Sequence, residues 1–298
     1  MRRKSQRLQP MELSKMVDLV AKLKRGAPML ALLIVSTVLA GCGSSMAIKG
    51  SKDEGLRLAR LLRDQGRVEA ATEVYARLDS RDALKGAEML EYASVAALAR
   101  SPQQTLELYG RARQALGGDT NKMTPEEALA VCLGMGRAQL ALGRNSMAQA
   151  DFACALKAQP NDAGALNGMG VVMDASGKHA EARQLFEKAL QINPADVAAL
   201  NNLALSWLAS GNADKAISLL RSVDESNATG RLNLALAYLS GGREDDARSA
   251  LATIAQPQRI DGLIDELHQR LQQMQQDKSR GEALLLSSRQ RLQLSSPE

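Results

Sequence analysis

Aromatic residues are scarce in this chain of 298 residues, with two Phe, one Trp and four Tyr. Against 45 % hydrophobic residues, an aromatic share of 2 % leaves alanine and leucine to build the core, which points to a helical protein. Histidine is scarcer still. His179 and His268 lie in separate predicted elements, His179 in a solvent-facing turn, and no His/Cys/Asp spacing around either fits a metal site. No serine stands in a nucleophile-elbow pattern, and no glycine-rich phosphate loop precedes a helix. Gly168-Met169-Gly170 resembles a fragment of such a loop, but its glycines fall on the packing face of a predicted helix. These absences nominate no catalytic residue, no metal, no cofactor and no small-molecule substrate, so the chain is read as a non-enzyme.

A long apolar run is also missing. Basic residues stud Met1 to Arg25, and an uncharged stretch follows from Ala27 to Ala40. That stretch is short for a membrane span, which needs roughly 20 apolar residues. A basic region, a short apolar core and small residues before a cleavage point describe a secretory signal. The segment ends in Leu39-Ala40-Gly41-Cys42, which resembles the lipobox of bacterial lipoproteins. The resemblance implies a signal peptide over 1–41, cleavage before Cys42, and acyl chains on Cys42 as a membrane anchor. Gly43 stands where an aspartate often signals inner-membrane retention in that family, so the implied location is the outer membrane, facing the periplasm.

Net charge depends on this cut. The chain holds 38 Lys+Arg and 33 Asp+Glu, with a pI of 9.2. Removing the eight basic and two acidic residues of the signal leaves 30 against 31. The charge therefore gives no argument for nucleic acid as a partner, which wants a clustered basic face in the mature domain, and none is expected.

What the sequence does have is a period. Leu129–Asp162 and Ala163–Asp196 match position by position over 34 residues. Small residues recur at position 8 (Gly136, Gly170) and glycine at 15 (Gly143, Gly177). Alanine recurs at 20 (Ala148, Ala182) and 27 (Ala155, Ala189), phenylalanine at 24 (Phe152, Phe186) and proline at 32 (Pro160, Pro194). Small residues let helix axes approach, and phenylalanine fills the space they leave. The glycines suit a left-handed turn after the first helix of each pair, and the prolines end the second. Asp162 and Asp196 stand at N-cap positions. This set resembles the tetratricopeptide repeat (TPR), which implies an all-α superhelical solenoid of helix–turn–helix units.

Weaker copies flank the pair. One starts at Lys52 (Ala59, Gly66, Ala71, Tyr75) and one at Gly86, where Arg100 replaces the glycine and Ser101-Pro102 marks the turn. An irregular piece, Gly117 to Met123, precedes a helix start at Thr124-Pro125. Two more units begin at Val197 and near Ala228. The expected layout is a tether at 42–51, about six repeats over 52–255, a capping helix over 256–278 and a tail at 279–298. In the capping helix Ile260, Leu263, Ile264, Leu267, Leu271 and Met274 share one face.

In TPR proteins the concave face comes from positions near 2, 5, 9 and 12 of each first helix. Carried over, this nominates Leu133, Arg137, Asn167, Val171, Asn201, Leu205 and Leu236 as partner-binding residues, with the amides free to pair with a peptide backbone. Such an apolar groove suits an amphipathic helix or hydrophobic tail. Cys132 and Cys154 fall at positions 4 and 26 of one repeat. Position 26 is usually peripheral, so two separate thiols are expected, although an oxidising periplasm permits a disulfide. Lipobox, tether, repeats and helical end together resemble the TPR lipoprotein of the tight-adherence (Tad, or Flp) pilus machinery. That family implies a pilotin-like protein-interaction scaffold that binds an outer-membrane secretin subunit. Other readings of the same plan are a pilotin or adaptor of type IV pilus or outer-membrane protein insertion machinery, or an adaptor recruiting periplasmic hydrolases or proteases.

Overall fold

The structure, a computed structural model, describes residues 51–276. Cys42, the signal segment, the rest of the tether and the tail lie outside the described residues. Among the described residues the elements are helices only. They form six antiparallel pairs and a final helix. The pairs are α1 (Lys52–Asp64) with α2 (Val68–Asp79), α3 (Ala87–Ala96) with α4 (Pro102–Ala115), and α5 (Pro125–Ala141) with α6 (Asn145–Ala158). Then come α7 (Ala163–Ala175) with α8 (His179–Ile192), α9 (Val197–Ala209) with α10 (Ala213–Leu220), and α11 (Ala228–Ser240) with α12 (Glu244–Ala252). The last helix is α13 (Ile260–Gln276), entered through a short 3-10 turn, Pro257–Arg259. Another such turn, Thr120–Lys122, lies within the irregular piece before α5.

Local chemistry starts and stops these helices. Ser51, Ser101 and Thr124 each form a capping box, with Glu54, Gln104 and Glu127 reaching back. Asp162 Oδ1 accepts from the Ala165 N–H at 2.7 Å, and Asp196 Oδ1 from the Ala198 and Ala199 N–H groups at 2.9 and 3.1 Å. At the corners, Gly143 and Gly177 take φ of +74° and +77°, where a Cβ is strained. Gly66, Gly211 and Gly242 do the same in their units. The second unit has no such glycine. Its chain leaves α3 through a right-handed turn in which the Arg100 N–H donates to Ala96 O at 2.8 Å.

Packing follows the period. Phe152 is fully buried and sits between two glycines. A Cβ at Gly136 would stand 2.9 Å from its ring and one at Gly168 2.3 Å from it. Gly170 meets Phe186 in the same way, at 2.5 Å. Gly168 and Gly170 therefore serve helix approach, and the phenylalanines bridge one unit to the next. At the N-terminal end Tyr75 stacks on Tyr92 and its hydroxyl donates to Glu91 Oε2 at 3.1 Å. Arg60 donates to both oxygens of that carboxylate at 3.0 Å, and burial beside Glu91 raises the Tyr75 pKa to about 12. At the other end Leu263, Ile264, Leu267 and Met274 of α13 join the core formed by α9 to α12. Leu263 and Leu267 are buried almost completely, each contributing about 1.5–3 kcal/mol. The helix closes the last apolar face of the solenoid, as its sequence pattern predicts.

One expectation is corrected here. Cys132 of α5 and Cys154 of α6 form a disulfide, with Cα atoms 5.8 Å apart. Positions 4 and 26 lie opposite each other where the antiparallel helices pack closely, so the sulfurs meet instead of pointing apart. His179 is a second correction. It is half-buried at the start of α8, and its Nδ1 lies 2.7 Å from Asp174 Oδ1.

Candidate functional site

The residues nominated for a continuous groove divide into two sets. Those of the fourth to sixth units are engaged inside the solenoid. Asn202 Nδ2 donates to Asn167 Oδ1 at 2.8 Å, and Asn233 Nδ2 donates to Asn201 Oδ1 at 3.1 Å. Asn201 also donates to Val197 O at 2.9 Å and is 5 % exposed. The amides thus tie each first helix to the next and are not free for a peptide backbone. Val171 packs on the Phe186 cluster. Leu205 and Leu236 belong to the C-terminal core, at 8 % and 2 % exposure, because α9 and α11 pack on each other and α13 covers the end. These residues correct the groove reading: over this half they are structural.

The third unit differs. Leu133 and Arg137 line an open cleft of about 430 Å³ between α3, α4 and α5. Its origin is a length mismatch. Helix α3 has 10 residues and stops at Ala96, whereas α5 has 17 and runs on to Ala141. In the repeat register α3 thus stops short of α5, and on that side the end of α5 faces the turn that carries Leu98. The floor is held by Tyr109, which packs so closely on Gly134 that a Cβ there would lie 2.1 Å from the ring. The Tyr109 hydroxyl donates to Ser94 Oγ at 3.4 Å. Ala97, Leu98, Ala130, Ala138 and Ala141 complete an apolar wall. Leu98, in the turn after α3, is 74 % exposed.

Two guanidinium groups stand at this cleft. Arg100 is paired with Glu73. Arg137 is exposed and has no ion pair or hydrogen bond among the described residues. Its Nη2 passes over Gly164, 2.8 Å from where a Cβ would be. Leu98, Ser94 and Tyr109 were not foreseen as lining residues. Their one sequence signal is the departure at Arg100-Ser101-Pro102, where the corner glycine is missing.

The other polar clusters are structural. Ser206 Oγ donates to Asp174 Oδ1 at 2.6 Å, and His179 Nδ1 lies 2.7 Å from the same oxygen. The carboxylate sits between hydroxyl and imidazole, so the imidazole has no contact with the hydroxyl as its base. Ser206 is fully buried as well. Trp207 lies between the Arg183 guanidinium at 4.1 Å and the Lys215 ammonium at 3.9 Å, which fixes α8, α9 and α10 together. Burial raises the Asp151 pKa to about 6, with Arg113 acting weakly against it. Among the described residues no group of three His, Cys, Asp or Glu could hold a metal ion, and no helix is long and apolar enough to cross a membrane.

Comparison with known proteins agrees with this architecture. Tetratricopeptide-repeat families match residues 133–197, 175–230 and 207–271. No curated protein matches the chain. Among solved structures, a tetratricopeptide repeat protein from Parabacteroides merdae is 18 % identical, with a TM-score of 0.53, covering 78 % of this chain and 97 % of that one. A chain of the APC/C hetero-tetramer Cut9-Hcn1 is also 18 % identical, with a TM-score of 0.58, and covers 72 % of this chain and 42 % of its own. MamA is 17 % identical with a TM-score of 0.45, covering 65 % of this chain and 93 % of that one. At such identities the likeness concerns the fold alone. Residues 133–271 of this chain match tetratricopeptide repeats, within an all-α solenoid.

Proposed function

We propose that the chain is a lipid-anchored interaction scaffold with a pilotin-like role in tight-adherence pilus biogenesis. Acyl chains on Cys42 hold it at the outer membrane, and residues 42–51 span at most about 35 Å when extended. Each buried methylene of those chains contributes about 0.8 kcal/mol, so more than one chain makes the anchor firm. The repeats hold an outer-membrane secretin subunit and aid its localisation or assembly. Tethering raises the local concentration of the captured subunit at the membrane, which needs no catalytic group.

The observation that carries the binding part is the open cleft of about 430 Å³ beside Leu133 and Arg137. The Leu39-Ala40-Gly41-Cys42 motif supports the anchor. The order of lipobox, tether, six repeats and terminal helix supports the pilus family. Deleting the gene is expected to reduce secretin multimers in outer-membrane fractions. Unchanged multimers with normal piliation would refute the role. Cys42→Ala is expected to leave the solenoid folded but misplaced, and normal outer-membrane fractionation of that variant would refute the anchor.

A further inference from the structure

We infer that the cleft between α3, α4 and α5 is a side-chain-specific recognition pocket. It takes a leucine-sized apolar side chain from a partner protein, and Arg137 pairs with a carboxylate next to that side chain. The inference rests on the reading that the repeats bind a protein segment, and it names the place and the chemistry of the contact.

Three observations carry it. The first is shape. The cleft, of about 430 Å³, falls within the range of ligand pockets, roughly 300–1,000 Å³, and its concavity fits a protruding side chain better than a flat bilayer. The second is the wall. Leu98 at 74 % exposure is the most exposed large apolar side chain among the described residues, and Leu133 and Tyr109 face the same space. Covering such a surface is favourable at about 25 cal/mol per Å² of apolar area removed from water. The third is charge. Arg100 is already neutralised by Glu73, whereas Arg137 at the rim has no partner among the described residues. Asp162 stands near Arg137 without pairing with it, so an apolar pocket beside this guanidinium favours a ligand that is apolar with one carboxylate. A planar guanidinium can hold that carboxylate through two N–H donors. One isolated cation does not make the basic stripe that nucleic acid requires.

The test uses the full chain in its native cells, with a photo-crosslinking residue replacing Leu98 and, as a control, Leu61, which is 54 % exposed on α1. Irradiation at position 98 is expected to capture one partner. The crosslinked peptide, read by mass spectrometry, is expected to hold a leucine-type residue next to Asp or Glu. Arg137→Glu is expected to lower the crosslink yield at least tenfold, Arg137→Lys to retain most of it, and both to leave the circular dichroism unchanged. Yield at position 98 no higher than at position 61 would overturn the inference. So would a captured segment without a carboxylate, or indifference to Arg137→Glu. The two readings fail separately. Loss of secretin multimers on gene deletion, with no crosslink at position 98, removes only the cleft. A captured segment of the stated chemistry from a protein other than a secretin removes only the pilotin role.

Discussion

Gly168→Ala should change sign with its neighbour. In the native chain the new methyl carbon would lie 2.3, 2.4 and 2.8 Å from three carbons of the Phe152 ring. The ring is fully buried and has nowhere to retreat. Overpacking of this kind costs about 1–3 kcal/mol, and three contacts this short on a rigid ring put it near the upper end. Alanine also gains about 1 kcal/mol over glycine in a helix interior. The net expectation is a loss of about 2 kcal/mol. Phe152→Ala alone empties the space and should cost about 3–5 kcal/mol. In that background Gly168→Ala has nothing to strike, so only the helix gain remains, about 1 kcal/mol in favour. The coupling in the double-mutant cycle is therefore about 3 kcal/mol. Urea denaturation of the four proteins, followed by circular dichroism, measures it. Equal cost of Gly168→Ala in both backgrounds would refute the claim that Phe152 and Gly168 set the spacing between the third and fourth units.

Further expectations follow from other contacts. Reduction of Cys132–Cys154, or Cys154→Ser, should lower stability by about 3 kcal/mol for a sequence separation of 22, read by thermal melts with and without reductant. Thiol counting on the denatured, unreduced protein should find neither cysteine free, and two free thiols would contradict the bond. Asp151 holds its proton to about pH 6 in the fold but only to its ordinary 3.8 when unfolded, so its contribution to stability declines as pH rises between those values. Asp151→Asn should accordingly stabilise the protein at pH 7 by about 1 kcal/mol, allowing for partial exposure, with the gain gone below pH 3.8. Asn202→Ala strips Asn167 of its donor and should cost about 1 kcal/mol, whereas an exposed control such as Gln184→Ala should be neutral. Gly177→Ala, at φ +77°, should cost about 1–2 kcal/mol in the same melts.

The sequence period carries the fold because each recurrent residue answers a constraint that recurs. Phe152 and Phe186 fill gaps that glycines leave, Gly143 and Gly177 turn left-handed corners, and Asp162 and Asp196 cap helices. The α13 face was legible for the same reason, since a terminal unit must bury its last apolar side against something. What the period does not encode is which side chain of one unit meets which of the next. Asn167 and Asn201 recur at position 5 and read as exposed amides, yet their partners, Asn202 and Asn233, lie at position 6 of the next unit. Whether such an amide faces solvent depends on the tilt between successive helices, which no single helix states. Leu205 and Leu236 were misplaced in the same way. They fall on the face that is concave in an open superhelix, but here they join the core formed by α9 to α13. The disulfide was missed because position 26 was judged on its own helix, without the antiparallel partner that brings position 4 beside it.

The cleft comes from the opposite situation, a place where the period breaks. A glycine corner lets a first helix run its full length and cover its neighbour. With Arg100 in place of that glycine, α3 ends early at Ala96, and the chain reaches Ser101-Pro102 through a turn that carries Leu98 outward. Leu133 and Arg137, two of the residues nominated from sequence, then line the cleft, although Leu133 also packs on the core beside Cys132 and Phe152, while the five nominated beyond them are engaged within the solenoid. A degenerate unit beside a strict one leaves apolar surface and a cation uncovered, because the strict unit supplies a full-length helix and the degenerate one does not match it. In a repeat protein of this kind the departures from the period are the places to look for recognition, and in this chain the departure at Arg100-Ser101-Pro102 and the open cleft coincide.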